Sequence, residues 1–143
     1  MTPPPDSPHG PRVTARIDDQ PVAAAHSFAS PRHGAELCFH GVVRGHENGR
    51  PIRAIRYTAY LPMARASLHT LAHTTATEHP DALISIHHRL GDVPAGEASL
   101  LIAVATPHSA ESMILLEILL RRLKTEVPIW KEALPEEPQP AAE

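Results

Sequence analysis

Residues 99–106, SLLIAVAT, limit the possible folds of this chain more than any other segment. The run is apolar on both faces, so it reads as a strand that lies centrally in a sheet and is covered on each side. The turn Thr106-Pro107-His108-Ser109 follows, and residues 109–127 then change period. Met113, Leu116, Leu120 and Leu123 recur at three- and four-residue spacing, which predicts an amphipathic helix. Pro128 ends it and forces Val127 into an extended conformation.

The remaining segments alternate in the same way. Residues 12–17 form a possible first strand. Residues 21–29 follow Asp18-Asp19 and are expected to make a short capped helix. Residues 34–44 (GAELCFHGVVR) and 52–60 (IRAIRYTAY) read as strands joined across the turn signal Asn48-Gly49, as a hairpin or long-looped pair. Residues 62–78 begin with proline and stop before His79-Pro80, as a helix would. Residues 83–90 form a further strand, linked to the central one by GDVPAGEA. The order β-α-β-β-α-β-β-α predicts an α+β domain, a mixed or antiparallel sheet packed with about three helices. Proline-rich ends without periodicity set off residues 1–11 and 133–143 as tails around one domain at 12–132.

Composition narrows the function. A formal charge of −3 and a pI near 6.4 argue against a broad nucleic-acid footprint. Aromatic residues are only 3%, too few for base-stacking platforms. No stretch approaches a membrane span, no apolar signal segment opens the chain, and the single Cys38 fits a reducing compartment. A soluble, cytoplasmic protein is expected.

Of the 13 Lys and Arg residues only two are lysine, Lys124 and Lys131, and they flank the only tryptophan, Trp130. By position alone Lys124 is a helix-terminal cation and Lys131 a solvated one. The alternative is that the broken helix and the extended PIWK segment turn both amines into one pocket. His108 and Ser109 sit at a helix start, where free N–H groups favour an anion; Ser109 is equally a plain N-cap. Arg44 ends its strand before the glycine-containing turn, free to grip a phosphate or carboxylate or to face water. Eleven histidines suggest metal, but His69 and His73 lack a third ligand and His87-His88 point to opposite faces of a strand. No metal or cofactor is expected, and Cys38 reads as an inert thiol.

Taken in order, several motifs resemble the MoaE family, the large, catalytic subunit of molybdopterin synthase. They are Gly34-Ala35 with Phe39-His40-Gly41-Val42-Val43-Arg44, then Tyr57-Thr58-Ala59-Tyr60-Leu61-Pro62-Met63-Ala64. His88-Arg89-Leu90-Gly91 with Gly96-Glu97, then Thr106-Pro107-His108, continue the series. Leu123-Lys124-Thr125 with Pro128-Ile129-Trp130-Lys131 closes it. The resemblance implies an α/β hammerhead fold and a homodimer within a heterotetramer. Its partner would be MoaD, a small ubiquitin-like sulfur carrier ending in a Gly-Gly thiocarboxylate. The implied reaction puts two sulfurs onto cyclic pyranopterin monophosphate to form the molybdopterin dithiolene.

On that resemblance Lys124 and Lys131 become the catalytic and tail-binding amines, Arg44 and His108 contact phosphate and pterin, and Phe39 lines the pocket. The chemistry suits these residue types, because the thiocarboxylate is itself the nucleophile and needs no cysteine, metal or redox group. A lysine amine can give up and regain a proton when neighbouring cations lower its pKa, whereas arginine stays charged. Two positions depart from the family pattern. Ser109 stands where arginine is usual, leaving a hydroxyl and helix N–H groups for the phosphate; a relative that binds the tail with impaired turnover is the alternative. Arg56 and Thr58 replace acidic residues, and Arg56 is a candidate substitute cation.

Overall fold

The computed structural model describes residues 12–136, and the segment SLLIAVAT takes the expected central place. It forms strand β7 (Ala98–Thr106), buried from its second residue to its last. Antiparallel neighbours flank it: β5 (Leu83–Arg89) on one side and β2 (Ala35–Val42) on the other. Strand β1 (Val13–Asp18) adds in parallel to β5, giving the order β1-β5-β7-β2. A second sheet is built from β3 (His46–Glu47), β4 (Arg50–Thr58) and β6 (Gly91–Pro94), with β8 (Trp130–Pro135) pairing β4.

Two helices supply the cover, α1 (Leu61–Glu78) and α2 (Ser109–Glu126). Leu68 and Leu71 of α1, with Leu115, Leu119 and Leu123 of α2, close one core over Ile84, Ile86, Ile102 and Val104. Each fully buried side chain of this size contributes roughly 1.5–3 kcal/mol. A smaller cluster of Val43, Ile52, Ile55 and Val93, with Tyr57 against it, holds the second sheet. The Arg12 guanidinium fixes the end of α1 by donating to the carbonyls of Ala76, His79 and Ala82.

The mixed α+β architecture matches expectation, with four differences. Residues 21–29 form no helix, so there are two helices rather than three. PVAAAHSFA has no apolar stripe to bury, and it runs instead along β2, where the Phe28 N–H donates to Glu36 at 2.9 Å and His40 Nε2 contacts the Ala23 carbonyl at 3.0 Å. Strands β2 and β4 do not pair with each other. Asn48 and Gly49, at φ 52° and 77°, close a tight hairpin between β4 and the two-residue β3, while β2 is taken by β7.

The fully buried line of α2 is Ser112, Leu115, Leu119 and Leu123; of the residues read from the sequence Leu123 is on it, Leu116 and Leu120 pack at its margin, and Met113 is not part of it. Met113 faces outward, and Ser112 tolerates burial because its hydroxyl donates to the Ser109 carbonyl at 2.8 Å. Finally, residues 133–135 continue β8, with Leu134 buried, so the sheet claims what was expected to open the C-terminal tail. The proposed tail at 1–11, and residues 137–143, lie outside the described residues.

Candidate active site

Helix α2 sets the positions of four of the six candidate residues. His108 is its N-cap, extended at φ −127° and ψ 150°, and its side chain makes no capping bond. Ser109 is therefore the first helical residue and not the cap. The turn is pinned by Thr106, whose hydroxyl donates to the His108 carbonyl at 2.6 Å, and by Gly34, where an added Cβ would come 3.0 Å from the Pro107 carbonyl oxygen. Both His108 and Ser109 are exposed.

Lys124 lies in the last turn, exposed, with no carboxylate partner among the described residues. Val127 is extended at φ −102° and ψ 116°, as the following proline requires, and β8 begins at Trp130. Lys131 follows on β8, opposite Tyr57 of β4.

Because α2 follows β7 through a tight turn and returns across it, the helix runs antiparallel to β7 and alongside β2. The start of β2 thus sits by His108, where Gly34 abuts Pro107, and its far end lies toward Lys124. Arg44, just past that far end, is exposed and makes no side-chain ion pair or hydrogen bond among the described residues. Phe39 is half-buried between these ends, packed on the main core, its ring edge 3.5 Å from where a Gly41 Cβ would stand.

The six candidates consequently fall into two groups. Arg44, just past β2, and Lys124, in the last turn of α2, lie toward one edge of the main sheet, with Phe39 on the strand leading there, and Lys131 follows on β8. His108 and Ser109 sit about 22 Å away along α2, at about 1.5 Å per residue over the span from Ser109 to Lys124.

Two residues beside Lys131 escaped the sequence reading. Glu47 brings Oε1 to 3.9 Å from Lys131 Nζ. Tyr57 lies directly opposite Lys131 in the β4–β8 register, its hydroxyl accepting from Ser99 at 3.1 Å and its ring edge-on to His88. Burial holds His88 well below the usual histidine range, at about 4, so it is a neutral wall here, with Nδ1 donating to the Arg89 carbonyl. The Asn48-Gly49 signal places Glu47 beside a tight turn, but only the folded sheet brings it to a lysine 84 positions on in the chain.

Arg56 is not a spare cation. It forks onto Asp92 at 2.7 and 3.1 Å across the β4–β6 pair, and that hydrogen bonding draws the Asp92 carboxyl below its ordinary range. Beside the lysines lie large exposed apolar side chains: Trp130 opposite Thr58, Tyr60 at the N-cap of α1, and Met63 in its first turn.

Five of the ten described histidines, His33, His40, His79, His87 and His88, have a ring nitrogen engaged in a hydrogen bond. His87 Nε2, for example, donates to Asp18 at 2.7 Å. No three metal-binding side chains converge among the described residues. Two grooves, of about 620 and 320 Å³, flank α1 and are lined by none of the candidate residues.

The fold is an α+β domain with exposed lysine and arginine side chains at Arg44, Lys124 and Lys131. A profile of the MoaE protein family matches residues 13–126, and the chain belongs to that family. It is 38% identical over 108 residues to the molybdopterin synthase catalytic subunit of Homo sapiens, covering 76% of this chain and 57% of that one. It is 39% identical over 115 residues to the Drosophila willistoni protein of the same name, covering 80% of this chain and 31% of that protein. The chain thus spans about a third to six-tenths of these relatives. Among solved structures, molybdopterin synthase from Staphylococcus aureus superposes with a TM-score of 0.77 at 29% identity, over 85% of this chain and 91% of that one. A MoaE protein from Burkholderia ambifaria gives 0.72 at 27%, over 83% and 81%. No described helix is long and apolar enough to cross a membrane.

Proposed function

We propose that this chain is a molybdopterin synthase catalytic subunit. It would transfer sulfur from the C-terminal thiocarboxylate of a small ubiquitin-like carrier of the MoaD type to cyclic pyranopterin monophosphate, forming the dithiolene. The observation that carries this reading is the match of the MoaE family over residues 13–126, with Lys124 exposed in the last turn of α2 and Lys131 on β8 beside Glu47. Each turnover must bring two anions together, a thiocarboxylate and a phosphate ester, and local positive charge on a net-acidic protein does this.

Lys131 holds the carrier's tail, and Lys124, exposed in the last turn of α2, serves the acid–base steps as carbon–oxygen bonds are exchanged for carbon–sulfur. Arg44 grips the phosphate, and Phe39 lines the approach. Trp130, Tyr60 and Met63 form the surface on which the carrier docks. The reading requires no cofactor of the protein's own.

His108 and Ser109 bind the pterin and phosphate in this scheme, yet they stand about 22 Å from Lys124 on the same chain. A pterin-sized substrate does not bridge that gap, so in this reading they are supplied by a second copy. The functional unit is then a homodimer carrying two carriers, a heterotetramer, and its setting is the cytoplasm. Reconstitution tests the proposal: purified chain, thiocarboxylated carrier and cyclic pyranopterin monophosphate are mixed and dithiolene product is measured. Product formation that collapses in Lys124→Ala is expected; carrier binding without any product refutes the enzymatic reading.

A further inference from the structure

Lys131 already has an anion beside it. Glu47 lies on the short strand β3, opposite Arg50, where the left-handed residues Asn48 and Gly49 turn the chain back into β4. Its carboxylate is the better-fixed partner, 25% exposed against 62% for the lysine. At 3.9 Å the contact is an ion pair and not a hydrogen bond, and among the described residues Glu47 is the only carboxylate paired with this ammonium. A solvent-exposed pair of this kind contributes little, about 0–1 kcal/mol, so a competing anion displaces it readily.

We propose that Glu47 is a placeholder anion for Lys131, occupying the position of the carrier's terminal carboxylate until that group arrives and exchanges with it. The inference rests on the reading of Lys131 as the tail-binding amine. Its physical consequence is specific. A carboxylate entering the site must displace Glu47 and is repelled by it, whereas a neutral chain end experiences neither effect. Glu47 therefore sets tail affinity and release, and it is a specificity-determining residue, distinct from the groups that carry out the sulfur chemistry.

The experiment uses the full chain and a labelled synthetic peptide ending in Gly-Gly, with a free carboxylate or a terminal amide. Affinities are measured for wild type, Glu47→Gln, Glu47→Asp and Lys131→Ala, with melting temperatures to check folding. Glu47→Gln is expected to bind the carboxylate peptide about 1.5- to five-fold more tightly, the typical worth of an exposed ion pair converted to affinity. The amide peptide should be indifferent to the change, Glu47→Asp should stay near wild type, and the gain should shrink with salt. In the reconstituted reaction KM for the carrier falls in Glu47→Gln while kcat holds. If Lys131→Ala abolishes carboxylate binding but Glu47→Gln leaves it unchanged or weaker, the placeholder role is refuted and the Lys131 assignment stands. If Lys131→Ala binds the peptide as well as wild type does, the assignment itself fails and the inference falls with it.

Discussion

Replacing Asp18 with asparagine should remove a pH-dependent polar contribution to this fold. Asp18 ends the edge strand β1, and its Oδ1 accepts from His87 Nε2 at 2.7 Å and from the Gln20 N–H at 3.0 Å. Its Oδ2 accepts from Arg16 Nε at 2.8 Å. Burial by itself pushes the carboxyl upward; the bonds from His87, Gln20 and Arg16 outweigh it and hold the group at about 2 instead of 3.8. At about 1.36 kcal/mol per pKa unit, the charged carboxylate adds roughly 2 kcal/mol to folding. Because the folded value is depressed, this contribution is complete above the unfolded value of 3.8 and disappears as pH falls through about 2. Asparagine mimics the protonated acid, so Asp18→Asn should lose roughly 2 kcal/mol at pH 7, a drop of roughly 6–8 °C in Tm for a domain of this size. Thermal and urea unfolding from pH 7 down to pH 2 measure the gap, which should close over the lowest two units. Equal stability at pH 7, or a gap that persists undiminished at pH 2, would refute the argument.

Other expectations are equally direct. Lys124→Ala should cut turnover about 10²–10⁴-fold, the usual scale for a lost general acid–base group, with Tm unchanged because the side chain is exposed. Ser109→Arg should lower KM for the cyclic pyranopterin monophosphate several-fold by adding a charge-assisted bond to phosphate; an unchanged KM would remove this position from the site. Arg56→Ala should leave that KM untouched, since its guanidinium is committed to Asp92, and a rise in KM would overturn this structural role. Leu119→Ala empties a fully buried position between α2 and the sheet and should cost about 2–5 kcal/mol in denaturant unfolding.

Local pattern was enough to identify the elements that carry the fold. The run at residues 99–106 reads as a covered strand because nothing in it tolerates water on either face. The helix bounds near Pro62 and Pro128 follow from the missing N–H and fixed φ of proline. The two-lysine composition and the ordered motifs single out Lys124, Lys131 and Arg44 as candidates by local pattern alone. Where local pattern misled, the deciding partner was distant in the chain. Residues 21–29 are turn-like because β2 offers them hydrogen bonds, β2 leaves β4 for β7, and β8 exists only because β4 has an open edge.

The site divides in the same way. Residue types, their order and the chemistry they permit were determined by the sequence alone, since side-chain charge, proline geometry and apolar periodicity are local properties. Tertiary structure alone decided that Arg56 is consumed by Asp92 and that Glu47 stands beside Lys131. The physical reason is that strand pairing across the sheets fixes these distances, and strand pairing joins residues whose separation along the chain carries no trace of their separation in space.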